Sequence, residues 1–190
     1  MNNSFKALRP WIPAIVWIIV IYSTLGVVRP ICEYLRGRIP LSLVINSALS
    51  IGLAATTVSF FRRLENWKPK NFILLIIVLV AYTIMMMRLS IPEERIHLAE
   101  YGILGYLILR PLSRSLAGGP LYFLAWVLAS LVGWGDEMIQ YCLPNRYFQW
   151  SDVGLNVVSA GLGLSLTWSF FEQGKPLERN KGQSKNLGAA

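Results

Sequence analysis

Charge is what this 190-residue chain has least of: 18 Lys+Arg and 10 Asp+Glu make up 15% of it, against about 25% in an average soluble domain. Hydrophobic residues reach 54%. The shortage is uneven, because whole segments carry no charge at all, and a water-facing protein of this length has no core large enough to hide them. A soluble globular domain is therefore excluded, and an integral membrane protein is expected. Cysteine is nearly absent too. Cys32 and Cys142 are too few for a disulfide framework and lack the spacing of a zinc site. A bond between them would need two loops to meet, and none is expected.

The uncharged runs place the membrane helices. Pro10 to Val28 holds 19 residues, Ile39 to Phe61 holds 23, Asn71 to Met87 holds 17, Ser115 to Gly135 holds 21 and Val153 to Phe171 holds 19. These are five spans by length. A sixth stretch, Ile96 to Leu109, has 14 residues and carries His97 and Glu100 near its start. At 1.5 Å per residue it covers roughly 21 Å of a hydrocarbon core of about 30 Å. Extension into Ser90 to Glu94 and Pro111 to Leu112 closes the gap; the alternative is a re-entrant or interfacial helix.

Positive charge decides between them, since cytoplasmic loops collect Lys and Arg. With six spans and the N-terminus inside, 12 of the 18 basic residues fall on the inner side, and Arg29, Arg36, Arg38, Arg88, Arg95 and Arg146 fall outside. Seven of the 10 acids fall outside. The fold class expected is thus an all-α, polytopic membrane helix bundle of about six helices, N-in and C-in. The net charge of +8 reflects orientation in the bilayer and attraction of inner loops to anionic lipid, so no nucleic-acid partner is expected. The first apolar run is too long for a signal-peptide core and lacks a convincing cleavage site, so it reads as a retained helix. Short loops marked by Pro30, Pro40, Pro69, Pro92, Gly118 to Pro120 and Pro144 suit one transmembrane domain over residues 1–171. Residues 172–190, polar and without apolar periodicity, read as a disordered cytoplasmic tail. No internal repeat is visible, and Met85 to Met87 reads as lipid-facing filler.

Ionisable residues near membrane helix ends need partners or water, which makes them functional candidates. Three clusters qualify. His97, Glu100 and Tyr101 lie three and four apart and share a helix face. Asp136 and Gln140 share another, with Glu137 beside them. Arg146 precedes Asp152 and Asn156, which are four apart at the start of the last span; Asp152 also suits a helix N-cap. In the six-span topology helix four begins, helix five ends and helix six begins at the same outer face, so the clusters converge in an acid-rich pocket. Pairing of Asp136 with Arg146 and of His97 with Glu100 or Asp152 is expected there. Gly102, Gly105, Gly154, Ser159, Gly161 and Gly163 would let helices four and six approach closely. Tyr101, Trp134, Tyr141, Tyr147, Phe148 and Trp150 read as an interfacial aromatic belt, with Trp126 deeper. Arg36 and Arg38 are expected to sit on headgroups.

Taken in order, Ile96-His97 through Tyr101 to Leu104, Asp136-Glu137-x-x-Gln140, Pro144-x-Arg146 and Asp152-x-x-x-Asn156 with the glycines to Gly163 resemble the VanZ-like membrane proteins. The tryptophan-led span from Trp17 to Ser23 fits as well. The resemblant core is residues 11–29 and 93–171, with helices two and three as an insertion. Where that family often carries Asp-Lys four and three residues before its His, this chain has Glu93 and Glu94. The resemblance implies a multi-pass protein of the bacterial plasma membrane whose namesake is associated with resistance to the glycopeptide antibiotic teicoplanin. That is a phenotype without an assigned reaction.

Two function classes follow. In the first, the outward pocket binds a lipid headgroup, a lipid-linked cell-wall precursor or a glycopeptide-related ligand through His97, Glu100, Tyr101, Asp136, Glu137, Gln140, Arg146, Asp152 and Asn156. In the second, the protein is a hydrolase or transferase acting on a lipid-linked substrate at the outer leaflet. His97 would then be general base or nucleophile, and Asp136, Glu137 or Asp152 the orienting carboxylate or acid. Glu100, Asp136, Glu137 and Asp152 offer oxygens to a hard cation, but their spacing matches no metal motif, so neither metal nor cofactor is assigned. Without a metal, phosphate would be received by Arg146 and Arg95 alone. A transporter is disfavoured, because the ionisable residues gather at one face and not at the midplane.

Overall fold

The computed structural model describes residues 7–62, 69–144 and 146–171. The tail expected over 172–190 lies outside them, as do Lys6, Arg63, Glu65 and Lys68. A short 3-10 turn, Arg9–Trp11, leads into helix α1, Ile12–Leu35. Helices α2, Leu41–Phe61, α3, Pro69–Arg88, α4, Pro92–Leu112, α5, Gly118–Tyr141, and α6, Trp150–Phe171, follow. No strand occurs among the described residues. The fold is an all-α membrane bundle, and all of its helices except α4 are long and apolar enough to cross a bilayer.

Local sequence sets the helix ends. α1 stops where Gly37 takes a φ of +91°, a conformation open to glycine but costly for other residues, and Pro40 then precedes α2. α4 starts at Pro92, with Ile91 before it extended at ψ 121°; proline suits the first helical turn, where its missing N–H is not needed. Gly118, at φ +65°, opens α5.

α4 has 21 residues, which at 1.5 Å each is about 31 Å, enough for a hydrocarbon core. It is nevertheless the least apolar of the helices, and its position explains why. It is the hub: it packs most extensively on α6, then on α5 and α1, and it carries α2. Leu98, Tyr101, Leu104, Ile108 and Leu109 are all buried within the protein. A helix shielded from lipid by protein is free to carry polar groups that a lipid-facing helix is not. Peripheral helices show the converse, since none of the apolar window of α2 is buried against 44% of that of α6.

Close approach of α4 and α6 rests on glycine. A Cβ on Gly163 would collide with the backbone of Gly102, and one on Gly105 would lie 3.1 Å from Leu164 Cγ. Gly161 faces Trp126 of α5 instead, and Gly154 has open space around it. Trp126 Nε1 donates to Val157 O at 3.0 Å, which ties α5 to α6.

Candidate functional site

The charged residues counted as span boundaries lie inside helices. α1 runs on past Arg29 and Glu33, α5 includes Asp136, Glu137 and Gln140, and α6 includes Asp152. Together with the first turns of α4 they form one end of the bundle. Two aromatic donors lock its frame. Trp17 Nε1 donates to Glu100 O at 3.0 Å, fixing α1 on α4, and Tyr22 Oη donates to Val132 O at 2.8 Å, fixing α1 on α5. Gly135 makes the second bond accessible, because a Cβ there would lie 2.7 Å from Tyr22 Oη.

Behind the surface lies a fully buried polar layer. Tyr101, Asp136 and Glu137 are all 0% exposed. Tyr101 Oη donates to Asp136 Oδ2 at 2.7 Å, linking α4 to α5. Gln140 Nε2 bridges the two acids, donating to Asp136 Oδ1 at 3.2 Å and to Glu137 Oε1 at 3.1 Å. The backbone N–H of Gln149 donates to Glu137 Oε2 at 3.2 Å. Each carboxylate oxygen thus has a donor, the condition under which such groups persist away from water. Deeper still, Asn156 Nδ2 donates to Gly133 O at 3.3 Å, and a Cβ on Gly133 would lie 2.7 Å from Asn156 Cβ and 3.2 Å from Tyr101 Cε1. Helices α4, α5 and α6 therefore meet at Gly133.

In front of that layer is a cleft of about 170 Å³, whose lining includes His97, Glu100, Gln140, Arg146 and Asp152. His97 Nδ1 and Glu100 Oε2 are 3.0 Å apart. Arg146 donates through a terminal nitrogen to Leu25 O at 3.2 Å, which fixes its guanidinium against α1. Arg29, Glu33, Arg36 and Glu94 complete the charged lining, and Arg29 Nε lies 3.1 Å from Glu33 Oε1.

Nine residues were named from the sequence, and the structure sorts them by depth. His97, Glu100, Gln140, Arg146 and Asp152 line the cleft, whereas Tyr101, Asp136 and Glu137 form the layer behind it and Asn156 lies deeper. Of the expected pairings, His97 with Glu100 forms and Asp136 with Arg146 does not. Asp136 is satisfied by Tyr101 and Gln140, and Arg146 bonds a backbone carbonyl. Arg95 is not in the cleft: it donates to Leu89 O at 3.0 and 2.6 Å and to Asn46 Oδ1 at 2.7 Å, bracing α4 against α2. Asp152 is not an N-cap, since α6 begins at Trp150; it sits in the first turn, where a negative charge suits the helix dipole. Tyr101 leaves the expected aromatic belt for the interior, while Tyr141, Tyr147 and Trp150 are exposed at this end. Arg38 stacks on Tyr34, 3.6 Å from its ring centroid. Both cysteines are free thiols.

Arg29, Glu33, Arg36, Glu94 and Gln149 also line the cleft and are not among the residues expected from the sequence. A signal for three of them was available, because Arg29, Glu33 and Arg36 are four and then three residues apart and share one helix face. Ending the first span at its first charge concealed that face.

Comparisons of the chain with curated proteins and with solved structures give no match. The VanZ/LLP1 family model matches residues 93–171. That segment begins after α1, α2 and α3 and takes in α4, α5 and α6, the helices that carry the buried layer and most of the named cleft residues. Over these three helices the chain is similar to the VanZ/LLP1 family of membrane proteins.

Proposed function

We propose that the cleft binds the polar headgroup of an envelope lipid or of a lipid-linked cell-wall precursor at the outer face of a bacterial plasma membrane. The observation that carries this reading is the mixed charge of the lining: Arg29, Arg36 and Arg146 stand among Glu33, Glu94, Glu100 and Asp152. An all-acidic pocket repels phosphate, whereas this one offers guanidinium groups to a phosphate and carboxylates to an ammonium or hydroxyl group. Such a lining suits a zwitterionic headgroup. Size points the same way, since about 170 Å³ is below the roughly 300–1,000 Å³ of pockets that enclose drug-sized ligands. A headgroup fits, and a whole glycopeptide does not. A role in glycopeptide resistance would then run through the envelope component bound and not through capture of the drug.

Binding is tested with the purified full chain in neutral detergent and three short-chain lipids: phosphatidylethanolamine, phosphatidylcholine and phosphatidylglycerol. Phosphatidylethanolamine is expected to bind at least tenfold more tightly than phosphatidylcholine, and Arg146→Gln and Glu100→Gln each to remove most of that preference. Equal affinity for the two lipids, or a preference untouched by both substitutions, would sink the headgroup reading.

Enzymatic turnover is the second reading, favoured by one feature. His97 is held through Nδ1 by Glu100 at the cleft wall, and among the described residues its Nε2 has no hydrogen-bond partner. That is the arrangement of a general base held by a carboxylate. Release of a headgroup or phosphate from a lipid-linked substrate, lost in His97→Ala and retained in Arg38→Gln, would select it.

A further inference from the structure

At the opposite end of the bundle, arginines from two separate elements converge on a second cleft. Arg9 of the 3-10 turn, together with Arg110 and Arg114 at the end of α4, surrounds a space of about 190 Å³. Pro10, Pro13 and Leu107 form its apolar side, and Ser113 completes the rim. No carboxylate lines the space, and among the described residues none of the three guanidinium groups takes part in an ion pair. Ser113 Oγ donates to Arg110 O at 2.8 Å, which closes the end of α4 without engaging any guanidinium.

Two ordinary causes account for part of this arrangement. Cations suit a helix C-terminus, which explains Arg110 and Arg114 singly, and inner loops gather positive charge, which explains the side of the membrane. Neither explains why Arg9, from another element, is folded into the same cleft. Three like charges around one cavity repel, and the repulsion grows beside the low dielectric of a bilayer. A bound anion reverses its sign. We infer that this cleft is a phosphate site filled by the headgroup of an anionic membrane lipid. Guanidinium groups bind phosphate through paired N–H donors, and basic pockets between helices at a membrane surface are suited to lipid phosphates. The apolar side formed by Pro10, Pro13 and Leu107 matches the glycerol end of such a lipid. The cleft shares no residue with the one at the other end, so the inference stands apart from the proposed headgroup function.

The test uses the purified full chain in neutral detergent, with short-chain phosphatidylglycerol, short-chain phosphatidylcholine and inorganic phosphate as probes. Four proteins are compared: the unaltered chain, Arg9→Gln/Arg110→Gln/Arg114→Gln, a charge-matched control Arg38→Gln/Arg62→Gln/Arg88→Gln, and Arg110→Lys. The unaltered chain and the control are expected to bind phosphatidylglycerol at least tenfold more tightly than phosphatidylcholine. The triple arginine variant is expected to lose that preference. Arg110→Lys keeps the charge but not the paired donors, and a several-fold weakening is expected, which keeps the test valid if the triple variant fails to fold. An equal loss in the charge-matched control, or an unchanged preference in both cleft variants, overturns the site. Inorganic phosphate that binds as tightly as the lipid and displaces it overturns the lipid assignment in favour of a free anion.

Discussion

Asp136 and Glu137 are adjacent in sequence, both fully buried and both served by Gln140, yet each takes its second donor from a different neighbour. Asp136 takes the Tyr101 hydroxyl and so joins α4 to α5, while Glu137 takes the Gln149 N–H and holds the connection to α6. Removing one partner of a buried hydrogen bond costs about 1–3 kcal/mol. Tyr101→Phe is therefore expected to lower stability by that amount, read as an earlier thermal unfolding transition in detergent, and Glu137→Ala to do the same while loosening the segment that carries Arg146. His97 makes a different prediction, because it lines the cleft. His97→Ala removes one partly buried hydrogen bond to Glu100 and should cost about 0.5–1.5 kcal/mol, the net worth of such a bond and less than Tyr101→Phe, while headgroup binding falls. If instead His97→Ala unfolds as early as Tyr101→Phe, then His97 belongs to the packing and not to the site. The sequence could name these residues, since three- and four-residue spacing put each group on one helix face. It could not rank them by depth, because depth depends on which neighbouring helix covers that face.

At the scale of the element, α4 and α6 carry the fold. Gly163 is needed where it meets Gly102, so Gly163→Ala is expected to cost about 1–3 kcal/mol through overpacking. Gly154→Ala is the matched control. Nothing lies within 4 Å of a Cβ there, so alanine should be neutral or stabilise the helix by up to about 1 kcal/mol through its higher propensity. If both substitutions shift the unfolding transition alike, the close approach at Gly163 does not hold the pair together. The small-residue pattern was legible in the sequence, but its targets were not. Ser159, Gly161 and Gly163 sit on one helix, yet Gly161 turns to Trp126 while Gly163 turns to Gly102. The boundaries of α1, α5 and α6 were misjudged for a related reason. A charge ends an uncharged run, but it does not end a helix whose last turn is paired or packed against other helices.

For the whole molecule, the two clefts lie at opposite ends of α4, so its crossing of the bilayer decides whether they face different compartments. Single cysteines near residues 92, 117 and 148, in a background with Cys32 and Cys142 replaced, test this with an impermeant thiol reagent on intact cells. Labelling near 92 and 148 but not near 117 is expected. Labelling near 92 and 148 on opposite sides would separate the walls of the headgroup cleft and remove that proposal. The sequence by itself determined the solvent of this protein and five of its helices, because long uncharged runs have a low free energy only in a bilayer and their lengths match its thickness; the sixth followed from the distribution of positive charge. It also indicated that polar groups gather where α4 begins, α5 ends and α6 begins, since helices that alternate in direction along the chain bring those ends to one end of the bundle. The tertiary structure alone decided which polar groups are buried struts and which line a cleft, and it alone brought the end of α1 into one cleft and Arg9 into the other. These are contacts between residues far apart in the chain. They depend on how helices pack side by side, and no local pattern of hydropathy or spacing encodes that.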